Sequence, residues 1–471
     1  MAEIAEPKNA ELTATGTENV RELIDRKLSV RVSPNSYLIA GFLATFFAGL
    51  CLYIEYDLFA AALLLFGWIV IPFILWGDRI VFDGKRLVRT GIVPRVWARI
   101  NNSECALELD AVEQVETQAL RALKRGGSVF YRYRTSFVGA NQRLIIASGG
   151  ESYRRMIRSV LPKLSESLLD NRSIELRDYI SEPKEALMKA EFAKIPSTEV
   201  LEVSINDFET LRKTKRKKPE FGDEEMEKAD YLRTLANELR LSGNLLQALE
   251  VFRRALFLNP KDAWLLFEFA RCLHSFAGAE KNARLEKRAM AGLRLVEKRA
   301  GDDSRLLARL GESYFQYGDW KRATKVFRRT LAKAETSFRS VRGMAEISLR
   351  EGKIAHVIHH FSNANRVAEI PALRRWSESE RQYFSRLNDD DEYLDMEVSR
   401  VNLLESLDRA KVTSLRIAIL SLPAIIAGVV ADLTLLSNVG WAVSGTAIVI
   451  WTGIVISRNL LSERVQIDAK E

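Results

Sequence analysis

The sequence predicts a multidomain α+β membrane protein with four parts: two transmembrane helical hairpins, a small β-rich domain closed by a C-terminal helix, and an α-solenoid of stacked helix pairs. Three observations carry this. Four long apolar runs occur in two pairs, one near each end of the chain. Between them, Asp78 to about Tyr179 holds short runs that alternate apolar and polar residues, the period of half-buried strands. From Ala229 onward an apolar stripe with helical spacing breaks at a glycine, resumes, and then recurs along the chain.

The N-terminal segment, 1–36, is polar apart from a short helix expected around Asn19–Lys27. It is too long and too acidic for the charged start of a signal peptide, so the first apolar run reads as an uncleaved anchor. Hairpin 1 (37–77) has spans 37–54 and 58–76, separated only by Glu55, Tyr56 and Asp57. A bilayer core of ~30 Å needs about 20 helical residues, so each run is long enough to cross. Ala40, Ala44 and Ala48 make a small-residue ridge suited to close helix packing, which suggests a homo-oligomer. Trp68 and Trp76 are candidate interfacial anchors. Hairpin 2 (411–457) has spans 417–436 and 439–456, with Pro423 inside the first and Asp432, their one acid, near its end. A C-terminal tail (458–471) follows. Arg21, Arg26, Lys27 and Arg31 precede span one, and Arg79, Lys85, Arg86 and Arg89 follow span two. Arg409, Lys411 and Arg416 precede span three, and Arg458 and Arg464 follow span four. By the positive-inside rule both termini and the whole central region face the cytoplasm. The net charge of +8 fits such flanks better than nucleic-acid binding, for which no aromatic platform or helix-turn-helix is visible.

The β-rich domain (78–180) begins with strands Arg79–Phe82 and Arg86–Arg89 around the turn Asp83-Gly84-Lys85. Strands are expected at Val93–Ile100, Ala111–Thr117, Val129–Phe137 and Arg143–Ala147. One amphipathic helix is expected over Glu151–Leu169, with Tyr153, Met156, Ile157, Val160 and Leu164 inward and a bend or a break at Pro162. Strands closed by one helix directly after a membrane hairpin resemble the bacterial pleckstrin-homology-like domains. That resemblance implies a bacterial cytoplasmic (inner) membrane. The segment 181–223 reads as a linker holding Pro183, Pro196 and Pro219 and a basic run. In that run Arg212, Lys213, Lys215, Arg216, Lys217 and Lys218 are candidates for contact with anionic lipid, each worth ~1 kcal/mol near the surface.

In the repeats, Leu232, Leu235, Ala236 and Leu239 form one helical stripe, interrupted at Gly243 and Asn244. Leu245, Ala248, Leu249, Phe252, Ala255 and Leu256 form the second, which Pro260 closes. Leu307, Leu310, Gly311, Tyr314, Gly318, Ala323, Phe327 and Leu331 repeat the pattern, and Val341, Met344, Ala345, Gly352, Phe361 and Ala364 repeat it again. Leu266, Phe269, Ala270 and Leu273 mark an irregular copy between. The four units, 229–262, 263–303, 304–337 and 338–370, resemble tetratricopeptide repeats within a domain of 224–370. Two capping helices follow over 371–410, and the last could run directly into span three.

This resemblance implies a protein-binding scaffold. In members that clamp a partner's terminal carboxylate, basic residues and asparagines project from successive first helices. Arg233 and Asn237 match in unit one, and Arg305 and Arg309 in unit three; Glu268 stands where unit two would carry an asparagine and would repel a carboxylate. With Arg240, Arg339 and Arg342 these residues form a basic concave face for a protein or peptide ligand, acidic in character.

No reaction is visible. Cys51, Cys105 and Cys272 show neither disulfide nor metal spacing. His356 and His360 are four apart on a helix, but nothing completes a metal set with them. Phosphate-loop, zinc-protease and nucleophile-elbow motifs are missing, and no cofactor is expected. The expected function is a non-enzymatic, membrane-anchored scaffold or adaptor that recruits partners at the cytoplasmic face. Two alternatives stand beside it: a lipid-sensing regulator using the β domain and basic linker, and a regulatory or transport-related membrane protein.

Overall fold

The computed structural model describes residues 28–100, 105–125, 128–139, 142–148, 150–204 and 222–461. The chain divides into two compact units, one of 1–33 with 76–381 and one of 34–75 with 382–471. The architecture is α+β, mostly helical, with two small antiparallel sheets.

The second unit holds the apolar helices. Four helices are long and apolar enough to cross a membrane: α1 (Asn35–Tyr53), α2 (Asp57–Gly77), α17 (Asp391–Val430) and α18 (Thr434–Leu461). α2 passes through one widened turn at Phe66–Val70. There Gly67 lets α1 come close, since a Cβ on it would stand 3.0 Å from that of Ala44. The ridge on α1 is thus used inside the chain: Ala44 and Ala48 are buried, while Ala40 is exposed. Trp68, in mid-helix, donates its indole N–H to Thr45 Oγ1 (3.1 Å). The two hairpins share a core of Phe46, Ala418, Ile425, Ala447 and Ile448. Gly428 and Gly440 allow α17 and α18 to cross closely; a Cβ on either would fall within 3 Å of the opposite helix. As expected, the last capping helix and the third apolar run are one 40-residue helix, α17, capped by Asp390. Asp432 lies in the turn between α17 and α18 with φ of 55°, rather than inside a helix.

In the first unit, β1 (Leu28–Arg31), β2 (Arg79–Phe82), β3 (Arg86–Thr90) and β4 (Ala106–Glu108) form one sheet in that order. β5 (Val112–Arg125), β6 (Ser128–Gly139) and β7 (Gln142–Ser148) form the other. α4 (Glu151–Val160) packs Tyr153, Met156, Ile157 and Val160 into their common core. Four sequence expectations need correction. The polar N-terminal segment contributes β1, because Val30 can be buried beside Ile80. Residues expected as a strand at Val93–Ile100 form a helix, α3 (Ile92–Ile100). Pro94 has no N–H for a ladder but fits the first turn of a helix, and Gly91 (φ 146°) breaks the strand before it. The helix expected over Glu151–Leu169 stops at Val160, and Pro162 marks a break rather than a bend, inside the tight turn Leu161–Lys163. A further helix, α5 (Asn171–Tyr179), follows it. The first half of the expected linker is ordered as α6 (Pro183–Phe192) and α7 (Thr198–Ser204). These bury Ala186, Ala190, Ile195 and Leu201 against the first helix pair.

The helix pairs follow the sequence period. α8 (Asp223–Ser242) and α9 (Leu245–Leu258) make the first, and α10 (Ala263–Glu280) and α11 (Ala283–Arg299) the second. α12 (Ser304–Gln316) with α13 (Trp320–Lys333), and α14 (Phe338–Arg350) with α15 (Ile354–Val367), complete the array. Phe327 is wedged between Gly311 and Gly343, where a Cβ on either glycine would stand 2.5 Å or less from its ring. α16 (Pro371–Asp389) closes the stack.

Candidate functional site: the arginine face of the helix pairs

The face lined by α8, α10, α12 and α14 is occupied by the chain's own segment 166–179. Asp170 caps α5, accepting from the backbone N–H of Ser173 at 2.9 Å and of Thr117 at 3.3 Å. α5 is thereby fixed to β5 on one side and laid on the first helices on the other.

Its central acid is Glu175, only 2% exposed. Arg240 of α8 reaches it at 3.0 Å, Arg271 of α10 at 2.9 Å and Arg309 of α12 at 3.9 Å. One arginine from each of three successive first helices therefore converges on a single carboxylate. Burial pushes that carboxyl up, but Arg240, Arg271, Arg309 and Arg172 outweigh it and hold it at about 2. Three buried cations against one anion leave an excess of positive charge. Arg309 takes the strain: burial, and then its neighbours Arg271 and Arg339, bring it down to about 10 against the pull of Glu175.

The N-terminal end of α5 is held as tightly. Asn171, fully buried, donates from Nδ2 to Arg309 O (2.9 Å) and Ser313 Oγ (3.3 Å). Its Oδ1 accepts from Arg309 Nε (3.1 Å) and Arg339 Nη1 (3.2 Å), and its backbone N–H donates to Glu312 (2.9 Å). Arg339 also donates to the carbonyls of Leu169 (2.8 Å) and Glu166 (3.1 Å) and pairs with Glu312. Arg305 makes a two-pronged contact with the Glu166 carboxylate, at 3.0 and 2.5 Å. A cleft of about 380 Å³ beside this end is lined by Glu116, Asp170, Arg172, Glu312, Arg339 and Arg342. Burial, and then Glu312, raise Asp170 in it to about 6.

Of the seven residues the sequence singled out, Arg240, Arg305, Arg309 and Arg339 are brought together on the segment 166–179. Arg233 and Asn237 are turned to Glu268 instead. Arg233 holds that carboxylate with two bonds of 2.7 Å, and Asn237 adds one of 2.8 Å. Glu268, expected only to repel a partner's carboxylate, is thus the ligand of the two residues expected to clamp it. Arg342 pairs with Glu346 at 2.9 Å and lies over the Trp376 ring. Arg271, Asn171, Glu166 and Glu175 escaped the sequence reading. Arg271 had a signal, since it stands one repeat length after Asn237. The other three carried none, because nothing local says which acid meets which arginine. The six lipid-contact candidates from Arg212 to Lys218 lie outside the described residues.

The β-rich body also meets the first pair at its turn. Gly243 (φ 94°) accepts the Val129 N–H at 2.9 Å, and Tyr133 donates to Leu241 O. Among the described residues no group of His, Cys, Asp or Glu is placed to hold a metal ion. His359 is engaged with Asn363 at 3.0 Å. Searches against family models and against curated proteins found no match for this chain.

Proposed function

We propose that this chain is a membrane-anchored, non-enzymatic scaffold whose helix pairs, of the tetratricopeptide kind, gather partner proteins at the cytoplasmic face of a bacterial inner membrane. The observation that carries the reading is the convergence of Arg240, Arg271 and Arg309 on Glu175. It is the chemistry by which such an array would hold an acidic helical peptide, met here by a segment of the same chain. Several features support anchoring. Four helices have the length and composition of spans, and Arg79, Arg89, Arg409, Lys411, Arg416 and Arg458 flank them on one side by the positive-inside rule. With Asp432 in a turn, the stretches 35–53, 58–76, 417–430 and 434–456 carry no charged group of the kind that transport through a bundle uses, which favours anchoring over transport.

Two measurements test this reading. In crosslinking of the full-length chain in native membranes, partner proteins should crosslink to residues 224–370; an array that crosslinks to no other protein sinks the scaffold. For the acidic preference, a labelled peptide copying residues 166–179 should bind a full-length variant carrying Glu166→Arg and Glu175→Gln. The same peptide with both glutamates reversed should not bind. Equal binding of the two peptides refutes charge recognition.

A further inference from the structure

The short helix α3 exposes an apolar edge next to the sheet end at which the chain enters α1 and leaves α2. Ile92, Val93 and Val96 are 54%, 46% and 53% exposed, while Pro94 between them is buried. At 100° per residue the three share one arc of the helix, with exposed Arg95 and Arg99 along its border.

The sheet fixes where this edge lies. Arg31, Arg79 and Thr90 are register partners across β1, β2 and β3. Arg31 is the last residue of β1 before α1, and Arg79 the first of β2 after α2. Thr90 therefore ends β3 at the same sheet end where the chain enters α1 and leaves α2, and Thr90 Oγ1 donates to Arg79 O at 3.0 Å. Gly91 then turns the chain into α3 so closely that a Cβ there would stand 3.2 Å from Asp78 Cα. Asp78, fully buried, accepts from Arg89 at 3.1 and 2.7 Å and holds the corner. Cys105 donates from Sγ to Pro94 O at 3.2 Å, tying α3 to the body by its buried side.

We infer that α3 is an interfacial helix lying in the surface of an anionic bilayer. Ile92, Val93 and Val96 enter the boundary of the acyl chains, and Arg95 and Arg99 reach lipid phosphates. The inference rests on the reading of the four apolar helices as membrane spans, which puts this corner at the bilayer surface. A helix with an apolar edge and arginines on its border suits that depth, since the long side chains place their charge among the headgroups.

The test places a photocrosslinking benzoylphenylalanine singly at position 96, 420 or 351 of the full-length chain. Each protein is reconstituted in vesicles of phosphatidylethanolamine and phosphatidylglycerol, and adducts are read by mass spectrometry. Leu420, 78% exposed on α17, reports insertion, and exposed Glu351 in the helix pairs is the aqueous control. Lipid adducts at 96 and 420 but not at 351 are expected. Adding Arg95→Gln and Arg99→Gln should lower the yield at 96 several-fold and leave 420 unchanged. Lipid adducts at 420 without any at 96, or protein adducts at 96 from a second copy or a partner, overturn the inference. An unchanged yield at 96 in the arginine variant overturns the phosphate contact. No lipid adduct at 420 overturns the membrane reading itself.

Discussion

Asn171 and Arg309 grip each other twice: Arg309 Nε donates to Asn171 Oδ1 at 3.1 Å, and Asn171 Nδ2 donates back to Arg309 O at 2.9 Å. The two residues lie 138 positions apart, so this exchange is a direct tie between the β-rich body and the third helix pair. Replacing Asn171→Ala leaves a buried guanidinium nitrogen and a buried hydroxyl without this partner. Such losses cost about 1–3 kcal/mol. Hydrogen exchange in 166–179 should rise well above that in the core of α8 to α15; unchanged protection there would show that the tie contributes nothing.

Glu175→Gln removes the carboxylate on which three buried arginines converge. Breaking a buried ion pair from one side costs about 3–5 kcal/mol. The thermal midpoint of the unit that holds the helix pairs, followed in the full-length protein, should fall markedly. Glu175→Asp, which keeps the charge, should recover part of the loss, and equal midpoints for Gln and Asp would show that shape rather than charge is at work.

The same carboxylate sets an acid limit. Glu175 is lowered from 4.5 to about 2, so its stabilising contribution is complete above pH 4.5 and is lost as pH falls from 4.5 toward 2. Asp170 is raised from 3.8 to about 6, so protonating it between those values favours the folded state. Protection of 166–179, corrected for intrinsic exchange, should rise as pH falls from 6 to about 4.5 and decline below it as Glu175 takes its proton. In Glu175→Gln that decline should vanish.

Gly243 is required twice. Its φ of 94° disfavours any side chain, and a Cβ would stand 1.8 Å from the Val129 carbonyl oxygen. Gly243→Ala should cost more than about 1 kcal/mol, where the same change at a compatible position would stabilise. Hydrogen exchange should rise in β6 and at the α8–α9 turn together.

Asp432→Asn should be nearly silent. The residue stands in a turn at φ 55°, a conformation asparagine tolerates well. Membrane yield and thermal midpoint should both stay within the scatter of a surface change, ±0.5 kcal/mol. A strong loss would show that the Asp432 carboxylate holds the turn.

The sequence by itself determined the elements whose signal is local. Four apolar runs became four apolar helices, and the stripes from Leu232 to Ala364 became four helix pairs, because both patterns are periods within a single helix. Pro94 and Gly91 are equally local signals: a residue with no N–H to give a ladder, after a glycine at φ 146°, stands against a strand and at the start of α3. Tertiary structure alone decided the site. Arg240, Arg271 and Arg309 are far apart in the chain, and nothing in their neighbourhoods says that Glu175 will satisfy them rather than a partner's acid. The choice follows from Asp170 capping α5 beside Thr117, which sets Glu175 at the one depth where three first helices converge. Long-range ion pairs are fixed by how elements pack, and packing is a property of the whole fold.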